Sequence, residues 1–262
     1  MYILNQREAN FMIRIALALL LSLIAPAAAL AQSNEKTVSI VLVHGAFVDG
    51  SGWKAVFDIL ANKGYEVLVV QNPTISLNGD VAATQQVISA ARHPVILVGH
   101  SYGGMVITEA GDNPKVRGLV YIAAFAPDAG ESVASLGEQP VPPGESGAPL
   151  LPPHDGYLLV DPAKFPNAFA ADVDASITRF MAIAQVPWGL EAVQTKITKV
   201  AWKAKPSHFM VTTNDLMIPP TFLRAFAKRS NATTVEINSS HAVMLSHPEE
   251  VAAFIETAGS AK

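Results

Sequence analysis

The chain has 262 residues, 50% of them hydrophobic, a formal net charge of -4 and no cysteine. That length suits one well-cored domain, and the missing thiols exclude disulfides and a cysteine nucleophile. A near-neutral charge without any lysine or arginine run speaks against a nucleic-acid partner, which needs a concentrated basic face.

In chain order, the first element reads as a targeting segment. Arg7 and Arg14 precede an apolar run from Ile15 to Ala25, then Pro26 and a small-residue stretch ending Ala29-Leu30-Ala31-Gln32. A basic start, a short apolar core and an A-x-A site are the parts of a secretory signal peptide. The expected cleavage follows Ala31, and Met12 is an alternative start to Met1. The run falls short of the roughly 20 apolar residues that span a bilayer. The expectation is therefore an exported chain, periplasmic or secreted, with no stable membrane anchor once residues 1–31 are removed.

The mature part, residues 32–262, alternates between two periodicities. Val38 to Val43 is a short, nearly continuous β-branched run, as in a strand buried on both faces of a parallel sheet. Tyr65 to Val70, Val95 to Val98, Val116 to Ala123, Ser207 to Thr212 and Thr233 to Ile237 read the same way. Helical stretches lie between them at Gly52 to Asn62, Gly79 to Arg92, Tyr102 to Ala110, Pro219 to Lys228 and Pro248 to Ala258. The pattern predicts an α/β fold with a doubly wound, mostly parallel sheet, its active site along the strand C-terminal edge.

From about 127 to 205 the alternation stops and no strand signal appears. Pro140, Pro142, Pro143, Pro149, Pro152 and Pro153 cannot sit inside helices or central strands. Asp172 to Ala184 and Gly189 to Lys199 read as helical pieces. So long an insertion is expected to form a cap over the active-site edge.

Val95 to Met105 carries the most information: a buried strand, then Gly99-His100-Ser101-Tyr102-Gly103, then a helix. A nucleophile elbow requires this order, because the turn is too sharp for side chains two positions either side of the serine. A helix starting there also directs N–H groups and its positive end at a developing oxyanion. Serine needs a base, and in this arrangement an acid and then a histidine follow along the chain. Asp215 comes just after the strand Ser207 to Thr212, and His241 just after the last strand. Asp128, past the Val116 to Ala123 strand, is the alternative acid, and His247 the alternative base.

These motifs identify a resemblance. Leu42-Val43-His44-Gly45-Ala46-Phe47, Gly99 to Gly104, Asp215-Leu216-Met217-Ile218-Pro219 and Ser240-His241-Ala242 are similar to those of α/β-hydrolases, in the branch of plant methylesterases, hydroxynitrile lyases and small bacterial esterases. The resemblance covers the mature chain. It implies that Ser101 is the nucleophile, His241 the base and Asp215 the acid behind it. It also implies that the backbone N–H groups of Ala46 and Tyr102 form the oxyanion hole. Related hydroxynitrile lyases carry lysine where this chain has Ala242 and threonine where it has Gly45, so hydrolysis of a small-molecule ester through an acyl-enzyme is expected over lyase chemistry. Perhydrolysis is a possible side activity of the same triad, and a ligand-binding protein on this fold is the rival from another class.

The other polar residues have ordinary readings. His44 and His100 brace loops, His93 and His154 need no functional role, Asp49 belongs to a turn and Glu109 faces solvent. Phe169, Phe180, Met181 and Trp188 are the cap residues that would line an apolar pocket. No histidine–carboxylate spacing suits zinc and no phosphate loop is present, so no metal or cofactor is expected. The oligomeric state is not encoded in any of these features.

Overall fold

A computed structural model describes residues 36–260. The expected signal peptide lies outside the described residues.

Runs of Val, Ile and Leu favour extended backbone because branched side chains pack well on a pleated surface. They form β1 (Ser39–Val43), followed by α1 (Lys54–Asn62), β2 (Glu66–Val70), α2 (Leu77–Ala90), β3 (Val95–His100), α3 (Gly103–Ala110) and β4 (Val116–Ile122). An insertion follows, holding α4 (Val133–Gly137), β5 (Tyr157–Leu158), α5 (Phe165–Phe169), α6 (Ala175–Ile183), β6 (Trp188–Gly189) and α7 (Leu190–Gln194). The chain then returns through β7 (Ser207–Thr212), α8 (Pro220–Arg229), β8 (Thr233–Ile237), α9 (Val243–Ser246) and α10 (Pro248–Ser260).

Six strands make one sheet in the order β2-β1-β3-β4-β7-β8, and every neighbouring pair is parallel. Helix α1 packs against α10, and α2 against α3. Right-handed crossovers put the first pair on one face of the sheet and the second on the other. The connection from β1 runs outward to β2, whereas the next crosses back past β1 to β3. The crevice at the carboxyl ends of β1 and β3 is therefore the topological switch point, where ligands of open α/β sheets bind.

Burial separates centre from edge. Every residue of β1, β3 and β7 is buried. By contrast β8 exposes Thr233 to Glu236, and β2 is only half-buried. The two runs read as doubly buried are thus edge strands. In β8 the composition carries this, since Thr233, Thr234 and Glu236 are polar residues suited to a strand open to solvent.

The insertion departs from its reading in two places. Leu158 pairs with Trp188 and Tyr157 with Gly189 in a two-stranded antiparallel ribbon, too short to leave a strand signal. The second helical piece stops at Gln194 rather than Lys199. Its continuation is extended because the start of the insertion and helix α3 take its backbone groups. Ile197 N–H donates to Glu131 O, and the N–H groups of Thr198 and Lys199 donate to the Glu109 carboxylate. Glu109, half-exposed, therefore also ties the returning chain to α3.

Candidate active site

The elbow is built by close approach. A Cβ on Gly99 would stand 2.6 Å from Gly103 O, and one on Gly103 would stand 2.8 Å from Val43 O, both backbone oxygens that cannot give way. Ser101 between them has φ +54°, a left-handed conformation that a non-glycine residue holds only when its surroundings enforce it. Its N–H donates to Ile122 O on β4 and its carbonyl accepts from Phe125 N–H and Gly104 N–H. The strand on one side and the helix on the other thus clamp the serine at the sheet edge.

His241 follows β8, and Asp215 follows β7. Both side chains are fully buried, and His241 Nδ1–H donates to Asp215 Oδ2 at 2.7 Å. Three further donors fix that carboxylate: Thr212 Oγ1–H on Oδ2 at 2.8 Å, and the N–H groups of Met217 and Ile218 on Oδ1 at 2.8 and 2.9 Å. The remaining ring nitrogen, His241 Nε2, is buried with no hydrogen-bond partner among the described residues. The imidazole centroid lies 4.6 Å from that of His100, the residue before Ser101, which sets it beside the elbow.

The alternatives lie elsewhere. Asp128 is a half-buried residue paired with Lys203, and His247 Nδ1 bonds to Ser246 Oγ at 2.8 Å, 3.9 Å from Asp172. Neither is bonded to the Asp215–His241 pair.

The two motif histidines brace loops. His44 Nδ1–H donates to Gly45 O at 2.8 Å while Nε2 accepts from Asn72 N–H, so the chain before Ala46 is held from both sides. His100 Nε2–H donates to His241 O at 2.9 Å. Complete burial, reinforced by the neighbouring His241, keeps His100 well below its usual titration range and therefore neutral. Asp49 caps a short 3-10 turn, Gly50–Trp53, and His154 is exposed.

Ser101, Ala46 and Tyr102 line a cavity of about 290 Å³. Its walls are Phe125, Trp188, Met217, Ile218, Phe222 and Phe226, with Val133 and Leu136 of the insertion, and no charged side chain lines it. Of the four cap residues read as lining, only Trp188 does. Phe180 is 73% exposed, Met181 faces a separate groove with Val48 and Leu245, and Phe169 is buried with its ring edge-on to His241. Helical periodicity gave no means of choosing which face of the cap turns inward.

Two acids escaped the sequence reading. Asp80, in the first turn of α2, is fully buried; it accepts from Tyr102 Oη at 2.6 Å and from Thr74 N–H at 2.7 Å. Burial pushes its carboxyl up. Asp172, before α6, binds the loop that carries His241. Neither has a local motif, because the side chains they bind, Tyr102 for Asp80 and Ser239 and Ser240 for Asp172, are distant in sequence. Among the described residues no group of three or more histidines and acids could hold a metal ion, and no helix is long and apolar enough to cross a membrane.

Comparison with known proteins agrees with this architecture. A carbendazim-hydrolysing esterase from Nocardioides sp. (strain SG-4G) is 29% identical, over 82% of this chain and 96% of its own. The crystal structure of a pyrethroid hydrolase from Sphingobium faniae JZ-2 superposes with a TM-score of 0.73 at 23% identity, covering 86% of this chain and 98% of that one. A methylesterase from Arabidopsis gives 0.67 at 18% identity, over 85% and 99%. At such identities the two structures establish the shared fold. Residues 40–254 match the sequence model of the alpha/beta hydrolase family, and the chain belongs to that family.

Proposed function

We propose that the protein is a carboxylic-ester hydrolase acting through an acyl-enzyme on Ser101. The observation that carries this reading is the buried Asp215–His241 pair, its Nε2 without a partner among the described residues, beside a serine held in a strained elbow. His241 takes the Ser101 proton through Nε2 as the hydroxyl attacks the ester carbonyl, and Asp215 fixes the tautomer and stabilises the imidazolium that forms. The N–H groups of Ala46 and Tyr102 receive the tetrahedral oxyanion, each worth about 3 kcal/mol by analogy with other hydrolases. The alcohol leaves with the proton from His241, and water repeats the sequence to release the acid.

The uncharged, aromatic-lined cavity favours an uncharged, apolar ester, since burying a charged substrate there without a counter-charge is costly. Relatives named as esterases support the reaction class. The test is steady-state turnover of p-nitrophenyl acetate and butyrate by the protein and by Ser101→Ala. Turnover lost in the variant supports the proposal; equal turnover in a folded variant contradicts it.

We also propose export, with cleavage after Ala31 leaving residues 32–262 as the mature domain and 127–205 as its cap. Intact-mass measurement of protein recovered from outside the cytoplasm should give a chain starting at Gln32. A chain recovered only inside the cell, with residues 1–31 retained, would contradict export.

A further inference from the structure

His241 stands on a poorly supported stretch of backbone. It follows β8, an edge strand exposed from Thr233 to Glu236, and precedes α9, a single turn. Sheet packing alone therefore holds it less firmly than it holds Ser101. The chain after β7 reaches the loop once through backbone, Asn214 N–H donating to Ser239 O at 3.1 Å, and the insertion supplies further ties around the histidine. Asp172 Oδ2 accepts from Ser239 Oγ at 2.8 Å and from Ser240 N–H at 3.0 Å, and Oδ1 accepts from the Ser240 hydroxyl. On the far side Ala242 N–H donates to Phe169 O at 2.9 Å, and the Phe169 ring meets the imidazole edge-on at 5.0 Å. The residues before and after the histidine are thus both fastened to one short segment, Phe169 to Asp172, with His100 holding the histidine's own carbonyl.

We infer that Asp172 is a positioning residue for His241: it clamps Ser239 and Ser240 so that the imidazole keeps its line to Asp215 and Ser101. The inference rests on the esterase reading for its kinetic consequence but not for its geometry. Burial would raise the Asp172 carboxyl, yet the hydrogen bonds from Ser240 and Ser239 outweigh it and hold the group below the usual carboxylate range, ionised as an acceptor for three donors. A purely adhesive role, joining insertion to body, makes a different prediction. Loosening the insertion would reshape the cavity and move KM, whereas loosening the base lowers kcat.

The experiment compares Asp172→Ala and Asp172→Asn with the parent protein, in p-nitrophenyl acetate kinetics and in the low-field proton spectrum of the His241 Nδ1–H. The expected result for Asp172→Ala is a kcat reduced roughly 10- to 100-fold, in keeping with a misplaced catalytic group, with KM within about twofold. Its low-field proton should broaden or vanish. Asp172→Asn keeps an oxygen for the Ser240 N–H and should recover most of both signals. Parental kcat and an unchanged proton in Asp172→Ala would overturn the inference, as would a KM that rises while kcat holds. If Asp172→Ala does not fold, Ser240→Ala removes one donor and should lower kcat a few-fold at constant KM; an unchanged kcat would again overturn it. A parent protein that turns over no ester would contradict the esterase reading, and the proton comparison would still decide the role of Asp172.

Discussion

The carboxyl edge of the sheet and the insertion above it are held together by different physics. At the edge, backbone sets position: a Cβ at Gly99 or Gly103 would fall within 3 Å of a backbone oxygen, Ser101 bonds to Ile122 and Phe125, and Asp215 receives two N–H groups two and three residues on. In the insertion the elements are one or two turns long, and side chains tie them down across long spans. Glu109 holds Thr198, Asp172 holds Ser240, and Thr74 Oγ1–H donates to Pro187 O at 3.0 Å. A region fixed by backbone tolerates little and serves chemistry. One fixed by scattered side chains depends on each of them singly.

The largest effect expected from that contrast separates the two acids. Asp215→Asn should lower kcat on the order of 10⁴-fold, because the histidine loses its tautomeric partner while the geometry survives. Asp128→Asn, which removes only an exposed ion pair, should leave kcat unchanged. Equal losses in the two variants would dissolve the distinction. Next comes Gly103→Ala, which forces a methyl against Val43 O and His44 O. It should cost about 1–3 kcal/mol in urea unfolding, as overpacking does. A variant as stable as the parent would show that the elbow relaxes more easily than its contacts imply.

These same differences decided how much could be read in advance. The elbow was legible because its steric demand falls within five consecutive residues, and β1 and β3 because full burial forces a nearly unbroken apolar run. Asp215 and His241 were legible from chain order, since parallel topology brings the ends of β7 and β8 to one edge. Asp80 and Asp172 were not. A buried acid looks like a helix-start acid until its partner is known, and Tyr102 and Ser240 lie 22 and 68 residues away. The inward face of the cap was hidden for a related reason. Ile177, Phe180 and Ile183 are exposed apolar residues at helical spacing, which sequence cannot tell from a buried stripe.

That ambiguity suggests a moderate test. Trp188→Ala should reduce discrimination between acetyl and butyryl esters by roughly tenfold, the scale of a methylene in an apolar pocket. Phe180→Ala, 73% exposed and outside the cavity, should not change it. The reverse outcome would place the acyl group in the Val48–Leu245 groove. The smallest effect concerns the far edge of the sheet. Burial would raise the Glu66 carboxyl, but hydrogen bonds from Ser39 and Arg92 outweigh it and bring it from an ordinary 4.5 down to about 2. A depressed folded value stabilises above the unfolded one and is lost on acidification. Glu66→Gln should therefore be less stable than the parent above pH 4.5, and the gap should close as the pH falls toward 2. A constant gap across that range would assign it to packing instead.

The most direct test of the central claim is to quench the protein during turnover of p-nitrophenyl butyrate and locate the acyl group by peptide mass spectrometry. The account predicts one butyryl group, on the peptide containing Ser101, absent from Ser101→Ala and accumulating in His241→Ala only as slowly as an unassisted serine reacts. Ester hydrolysis that proceeds with no adduct on Ser101, or with the label on another residue, would contradict it.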